Sequence, residues 1–479
     1  MYTVGLYTLG CKVSLYETEA IAESFANSGF EIKAFDEVCD VYVINTCTVT
    51  AESDAKSRKY IRRAIRKNPD AVVIVVGCYS QRAPEEVARI EGVSAVLGTQ
   101  DKMRCVEIAQ KIISNSEFRI SNLQHRAHNL VGDGAPTSRE CGTHNHVGDG
   151  APTSRDVLGG PKTQKAELLV GSLDGAKFEP MCVKNAPRTR AYVKIEDGCE
   201  CKCTYCAISG ARGPVRSKRP EDVISEVEGL YKNGTREIVL TGIETGSYGA
   251  DFDEKYDLAD LLCELDRRGS CERIRLGSMA PELLSEKFVS RVGNLKILVP
   301  HIHISMQSGS DNVLRGMKRR YNRKMALENI ARIREYKPDT MFTADLMVGF
   351  PGETEEDFLD TVRFVREARL LDAHVFAYSK REGTPAATYE NQIDESTKRE
   401  RSARLIAEKN AVRDEVLSSV IASGNRLSCI AETRDNGVYT AHSDSYIEVR
   451  FEGENGLSGE LVDVLPISQK DGVIYGKLA

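Results

Sequence analysis

The rhythm of apolar and polar positions changes four times along the chain. Over residues 1–115, short apolar runs at Tyr2–Thr8, Val41–Asn45 and Ala71–Gly77 read as strands. Between and after them, Leu15–Ser28, Ala51–Lys67, Val87–Glu91 and Met103–Ser114 have helical spacing. Repeated strand-then-helix units predict a doubly wound parallel sheet covered by helices. Residues 116–187 break the pattern. There His128–Arg139 returns almost unchanged as His144–Arg155, and its Gly, Asp, Pro and Ser content reads as a linker or insertion. Two such short units cannot stack into a solenoid.

The alternation resumes over residues 188–412. Strands are expected at Ala191–Glu196, Glu237–Leu240, Arg273–Leu276, His301–Ser305, Thr340–Met347 and His374–Tyr378. Amphipathic helices at Glu221–Tyr231, Leu258–Arg267, Lys324–Tyr336 and Glu355–Arg369 fall between them. Six such units predict a partial, TIM-like α/β barrel with its active site at the carboxyl ends of the strands. A charged helix, Glu395–Ser418, reads as a connector. Residues 413–479 carry short alternating runs separated by Gly, Asp and Asn, which predicts a small β-barrel or sandwich.

Composition narrows the class. The 479 residues suffice for roughly two to four domains. No apolar run approaches the length of about 20 needed to span a bilayer, and Met1–Gly10 lacks the basic and apolar regions of a secretory signal. A cytoplasmic, reducing setting is therefore expected, with no membrane partner. The 65 Lys and Arg against 71 Asp and Glu give a net charge of −6, which excludes a globally basic nucleic-acid binder but not a local basic patch. In a reducing compartment the 14 cysteines point to metal or catalysis rather than disulfides. Cys39, Cys105, Cys182, Cys263, Cys271 and Cys429 stand singly and read as small buried apolar residues. Cys141 with His128, His144 and His146 is a weaker metal candidate.

Two cysteine constellations carry chemistry. Cys199, Cys203 and Cys206 have the spacing C-x3-C-x2-C directly after the first strand of the second α/β unit. Iron–sulfur cubanes are usually held by four thiolates. Three would leave one iron open to S-adenosylmethionine, and so to radical chemistry. A zinc knot completed by Cys201 is the alternative. Separately, Cys11, Cys47 and Cys78 each follow a predicted strand of the first sheet, so one crevice should collect all three thiols.

At these blocks the chain resembles the radical S-adenosylmethionine methylthiotransferase family. The blocks are Thr8–Val13, Val43–Thr50 and Val76–Tyr79 in the first domain. In the second they are the Cys199 triad, Ala211–Ser217, Leu240–Ile243, Gln307–Ser310 and Val348–Thr354. The tail resembles a TRAM domain. Thr8-Leu9-Gly10-Cys11-Lys12-Val13 is most similar to the subgroup that acts on N6-threonylcarbamoyladenosine beside the tRNA anticodon.

The resemblance implies two [4Fe-4S] clusters. One, at Cys199, Cys203 and Cys206, would cleave S-adenosylmethionine; an auxiliary one, at Cys11, Cys47 and Cys78, would carry the sulfur. It implies replacement of the C2 hydrogen of the base by a methylthio group, through a 5′-deoxyadenosyl radical. An electron donor and a sulfur source are implied partners. Related enzymes acting on isopentenyladenosine or on a ribosomal-protein aspartate remain alternatives, as does a non-catalytic iron–sulfur RNA sensor. Within this frame Tyr205 is expected to pack near the cofactor adenine. Asp345, Gly349, Gly352 and Glu353 are expected around the cofactor, with ordinary turn chemistry as their other reading. Arg212 and Arg216 are expected to meet the cofactor carboxylate or RNA, unless they form a solvated basic loop.

Single-stranded anticodon loops are read by stacking and phosphate contacts. Basic runs at Lys56–Lys67 and Arg315–Lys324 are candidates, although either alone reads first as the wet face of a helix. The tail is an obstacle to a simple account, with five cations against nine carboxylates over residues 424–479. Two departures from the family pattern are Ser14, where Asn is usual, and the extra Cys201.

Overall fold

A computed structural model describes residues 1–115, 165–186 and 188–479. The repeat, Cys141, His128, His144 and His146 lie outside the described residues.

The first sheet contains β1 (Thr3–Thr8), β2 (Glu31–Lys33), β3 (Val41–Thr46), β4 (Val72–Gly77), β5 (Ala95–Leu97) and β6 (Glu167–Leu169). The order is β2-β1-β3-β4-β5-β6, and every pairing is parallel. Strand alternation feeds two cores. Val41, Val43, Ile74 and Val76 join one face, while Tyr42, Ile44, Val73 and Val75 join the other. Both faces are covered, which explains the continuous apolar runs. The sixth strand comes from beyond the 116–164 segment, so part of the stretch expected to be linker completes this sheet.

The central domain places β7 (Arg190–Lys194), β10 (Glu237–Thr241) and β11 (Arg273–Leu276) in one parallel group. β12 (Ser278–Met279), β13 (His301–Gln307), β14 (Met341–Val348) and β15 (Asp372–Ala377) form the next. The arc passes from β11 to β12 at Gly277, whose N–H donates to the Leu240 carbonyl at 2.7 Å. A small antiparallel pair, β8 (Glu196–Asp197) with β9 (Arg216–Ser217), closes the base of the cysteine loop.

The helix Glu395–Ser423 runs unbroken through position 412, the expected domain boundary. It leads into a closed barrel of β16 (Leu427–Asp435), β17 (Val438–Ser443), β18 (Glu448–Glu452), β20 (Val473–Leu478) and β19 (Leu461–Lys470). Charge pairs dock this barrel under the strand N-termini. Glu237 accepts from Arg190 at 2.7 Å and Arg275 at 2.8 Å, Arg190 reaches Glu432 at 2.5 Å, and Arg273 donates to Ser428 Oγ at 2.6 Å. No helix among the described residues is long and apolar enough to cross a membrane.

Candidate active site

Cys11 caps the helix Lys12–Asn27 after β1, Cys47 follows β3, and Cys78 opens the short helix after β4. These strands are adjacent, with Thr8 opposite Asn45 and Thr46 opposite Gly77. The strand order reverses between β1 and β3, which is where such sheets open a crevice. Gly10 sits there at φ +124°, and a Cβ on it would approach Cys47 Cβ to 3.3 Å. Ser14 is buried with its Oγ 3.8 Å from Cys11 Sγ. The three thiols are close enough to act on one another electrostatically. Burial first, and then the neighbouring thiols, push Cys78 up to about 11, against the pull of Arg212.

The second triad lies in the loop between β8 and β9. Gly198, at φ +99°, has Pro214 O where a Cβ would stand, only 1.9 Å away, so only glycine fits this close crossing. The Cys199 N–H donates to Gly213 O at 3.0 Å. The Thr204 N–H donates to Met317 O at 3.1 Å and its hydroxyl to Gly316 O at 2.9 Å, tying the loop to the end of the short helix Asp311–Gly316 that follows β13. Arg319 Nη1 donates to Cys203 Sγ at 3.2 Å, and the Ile208 N–H donates to Cys206 Sγ at 3.4 Å. Donors already directed at two sulfurs suit thiolates. No three Cys, His, Asp or Glu groups among the described residues converge tightly enough for a single ion. A cubane, with separate irons, spreads its thiolates wider than one zinc does. Cys201 hydrogen-bonds to Cys199, and this bond, with Arg319, holds the Cys201 thiol down at about 6.

Arg212 corrects the sequence reading. It is neither in a solvated loop nor open to a cofactor carboxylate; it is fully buried between the two triads. Its Nε donates to Cys78 Sγ at 3.1 Å, and its Nη1 reaches Glu17 at 2.6 Å and Asp197 at 3.2 Å. Lys102 and Lys194 complete the cluster at 2.7 and 2.9 Å from Glu17. Burial pushes Glu17 up, but Arg212, Lys102 and Lys194 outweigh it and hold the carboxyl well below the usual range. Arg216 is also buried and donates to the Arg212 and Pro214 carbonyls at 2.8 and 3.0 Å.

Other expected site residues are differently employed. Asp345 lies within β14 rather than at its end, and pairs with His303 and His374, each at 3.3 Å. Glu353 accepts from the Gly349 N–H at 3.0 Å and from Arg401 at 2.7 Å, so it clamps a turn to the long helix. Gly349 (φ +72°) and Gly352 (φ +84°) shape that turn, and what approaches Gly349 is the Lys398 side chain. Tyr205 packs with Val313, Met317, Met347, Phe350 and Tyr378 beside Cys206. In the second basic run Arg319 serves Cys203, while Arg323 and Lys324 pair with acids. In the first, Lys59, Arg62 and Arg66 are exposed without an ion pair among the described residues. Of the six single cysteines, Cys39, Cys105, Cys271 and Cys429 are buried, Cys263 is half-buried, and Cys182 is exposed.

A cavity of about 510 Å³ joins the three domains, lined by Cys11, Lys12, Thr241, Gly242, His301 and Tyr446 among others. Its size suits one small ligand or an extruded base. Two residues are not visible as site residues in the sequence, Glu244 near Cys201 and Lys12 in the lumen. Glu244 is buried just past β10, and its Oε1 accepts from the Ala280 N–H at 3.2 Å. Burial first, and then Cys201, push its carboxyl up to about 8. The signal was present as an acid two residues beyond Gly242. Lys12 passed as part of the first cysteine block, because nothing in its spacing shows that it enters a cavity.

Residues 193–365 match the Radical SAM superfamily, and residues 3–98 match the uncharacterized protein family UPF0004. The threonylcarbamoyladenosine tRNA methylthiotransferase MtaB of Bacillus subtilis is 38% identical over 97% of this chain and 93% of its own length. The Aquifex aeolicus protein of the same name is 31% identical over 96% and 99%. A tRNA-2-methylthio-N(6)-dimethylallyladenosine synthase of Alkaliphilus oremlandii is 31% identical over 95% and 88%. In architecture the chain is similar to the radical S-adenosylmethionine methyltransferase TsrM of Kitasatospora setae. The TM-score is 0.54 at 16% identity, covering 81% of this chain and 77% of that one. With a parallel sheet, a partial barrel that carries the three-cysteine loop and a closed terminal β-barrel, the chain belongs to the radical S-adenosylmethionine tRNA methylthiotransferases.

Proposed function

We propose that the protein transfers a methylthio group to C2 of N6-threonylcarbamoyladenosine, 3′-adjacent to the tRNA anticodon, in the cytoplasm. Cys199, Cys203 and Cys206 would hold one [4Fe-4S] cluster, and Cys11, Cys47 and Cys78 the other. When bound, these groups supply an electron for cleaving S-adenosylmethionine and a sulfur atom for insertion. The observation that carries the reading is the placement of Arg212. One buried guanidinium touches Cys78 and, through Asp197, the base of the other cysteine loop. One buried charge cluster thereby links the first triad to the loop that carries the second.

The chain's own residues do the rest. An aromatic C–H does not yield to side-chain acids or bases, so the protein's task is placement and exclusion of water. Glu244 Oε2 has no hydrogen bond among the described residues and suits the ammonium of the cofactor. The aromatic wall around Tyr205 suits its adenine. Lys59, Arg62 and Arg66 offer an exposed basic stripe for phosphates. An electron donor and a sulfur source complete the turnover.

The test is anaerobic reconstitution with dithionite, S-adenosylmethionine and an anticodon stem-loop RNA, followed by mass spectrometry of the nucleosides. The reading expects the methylthio derivative of threonylcarbamoyladenosine. Product only on dimethylallyladenosine, or no 5′-deoxyadenosine at all, would sink it.

A further inference from the structure

The side chain that follows Cys11 is a lysine that lines the shared cavity. Among the described residues Lys12 makes no ion pair and no side-chain hydrogen bond. The charged groups that act on it are already engaged. Asp345 is held by His303 and His374, Arg275 by Glu237, and Arg190 by Glu237 and Glu432. His301, on the same cavity wall, is stacked on Tyr446 with ring centroids 4.7 Å apart, and its Nε2 meets Thr343 Oγ1 at 3.0 Å. An ammonium in a part-buried lumen without a carboxylate partner is costly unless something anionic arrives to meet it.

We propose that Lys12 is the specificity residue that reads the carboxylate on the N6 substituent of the target adenosine. The inference rests on the substrate reading above. In adenine, C2 and the N6-bearing carbon flank the same ring nitrogen, N1. A group that reads the substituent must therefore lie close to the site that modifies C2. Lys12 meets that requirement because it is covalently next to Cys11. A threonylcarbamoyl group carries a carboxylate at its end, whereas a dimethylallyl group is wholly apolar. The lysine thus rewards the first and leaves an unpaired buried cation against the second, so it selects by attraction and by penalty together. Hydrogen bonds between ionised partners are the strong ones.

The experiment uses the anaerobically reconstituted full chain and three stem-loop RNAs. One carries threonylcarbamoyladenosine, the second its primary carboxamide, and the third dimethylallyladenosine. Equilibrium binding is read alongside turnover, and iron and sulfide content report loading. The wild type should bind the carboxylate RNA about 10- to 100-fold more tightly than the carboxamide. Lys12→Met should bring that ratio to within about twofold while retaining the affinity for the carboxamide RNA, and Lys12→Arg should keep most of the ratio. Equal weakening on both RNAs, or no weakening, overturns the inference. A wild type that does not distinguish carboxylate from carboxamide overturns it without any variant, which covers the case of a Lys12→Met protein that fails to load. A wild type that modifies only the dimethylallyl RNA overturns the substrate reading instead.

Discussion

Arg212 donates from Nε to the sulfur of Cys78 at 3.1 Å, while its Nη1 contacts Glu17 on the helix that starts at Cys11. One buried side chain thus joins a cysteine of the first domain to the loop that carries the other triad. Arg212→Met leaves Glu17 and Asp197 short of a cation inside the protein. It should cost about 3–5 kcal/mol, read as a lower urea midpoint of the loaded protein. Iron and sulfide should fall toward half, with 5′-deoxyadenosine formation retained. Full iron loading of the variant would refute this.

Cys201 is expected to be spare. Cys201→Ser should keep the charge-transfer absorbance and cofactor cleavage, whereas Cys203→Ser should lose both. If Cys201→Ser loses bound metal and binds only zinc, the zinc-knot alternative returns.

Glu244→Gln keeps the shape of a side chain buried just past β10 and removes a carboxyl that, pushed up to about 8, would ionise against the cofactor ammonium. The expectation is a rise of about 10-fold or more in the KM for S-adenosylmethionine, the scale of one charge-assisted hydrogen bond. Loaded iron should not change. An unchanged KM would remove Glu244 from the cofactor site.

Acid should loosen the terminal barrel first. Burial pushes Glu237 up, but Arg275, Arg190 and Arg273 outweigh it, so its folded-state pKa lies below the unfolded value of about 4.3. Its contribution is therefore complete above that pH and is lost as pH falls through the folded value. Limited proteolysis at stepped pH should show cleavage near residues 424–427 rising on the acid side only. Glu237→Gln should show the same cleavage at neutral pH.

Gly349→Ala should destabilise by about 1–2 kcal/mol, because a left-handed backbone at φ +72° meets the Lys398 side chain there. Thermal melting checks it. The same change at Gly29, where φ is +83° but nothing lies within 4 Å, should cost less.

Elements with strong periodicity were legible in the sequence. Ala51–Lys67 and Arg273–Leu276 have the predicted bounds, because each carries its own pattern and, for the helix, its own Thr50 cap. So was the placement of Cys11, Cys47 and Cys78 just past three parallel strands, since that is a property of local order. The partners of the buried charged side chains were not legible. Arg212, Asp345 and Glu353 were expected to meet a cofactor, yet their partners lie 195, 42 and 48 residues away in the chain. Strand and helix formation depend on neighbours a few residues apart, so sequence alone determined the layers and the thiols. The pairing of buried charges depends on which domains pack together, and only the tertiary structure decided that. It placed Arg212 between the triads and Lys12 in the lumen, since a charge out of water must find its partner in space rather than along the chain.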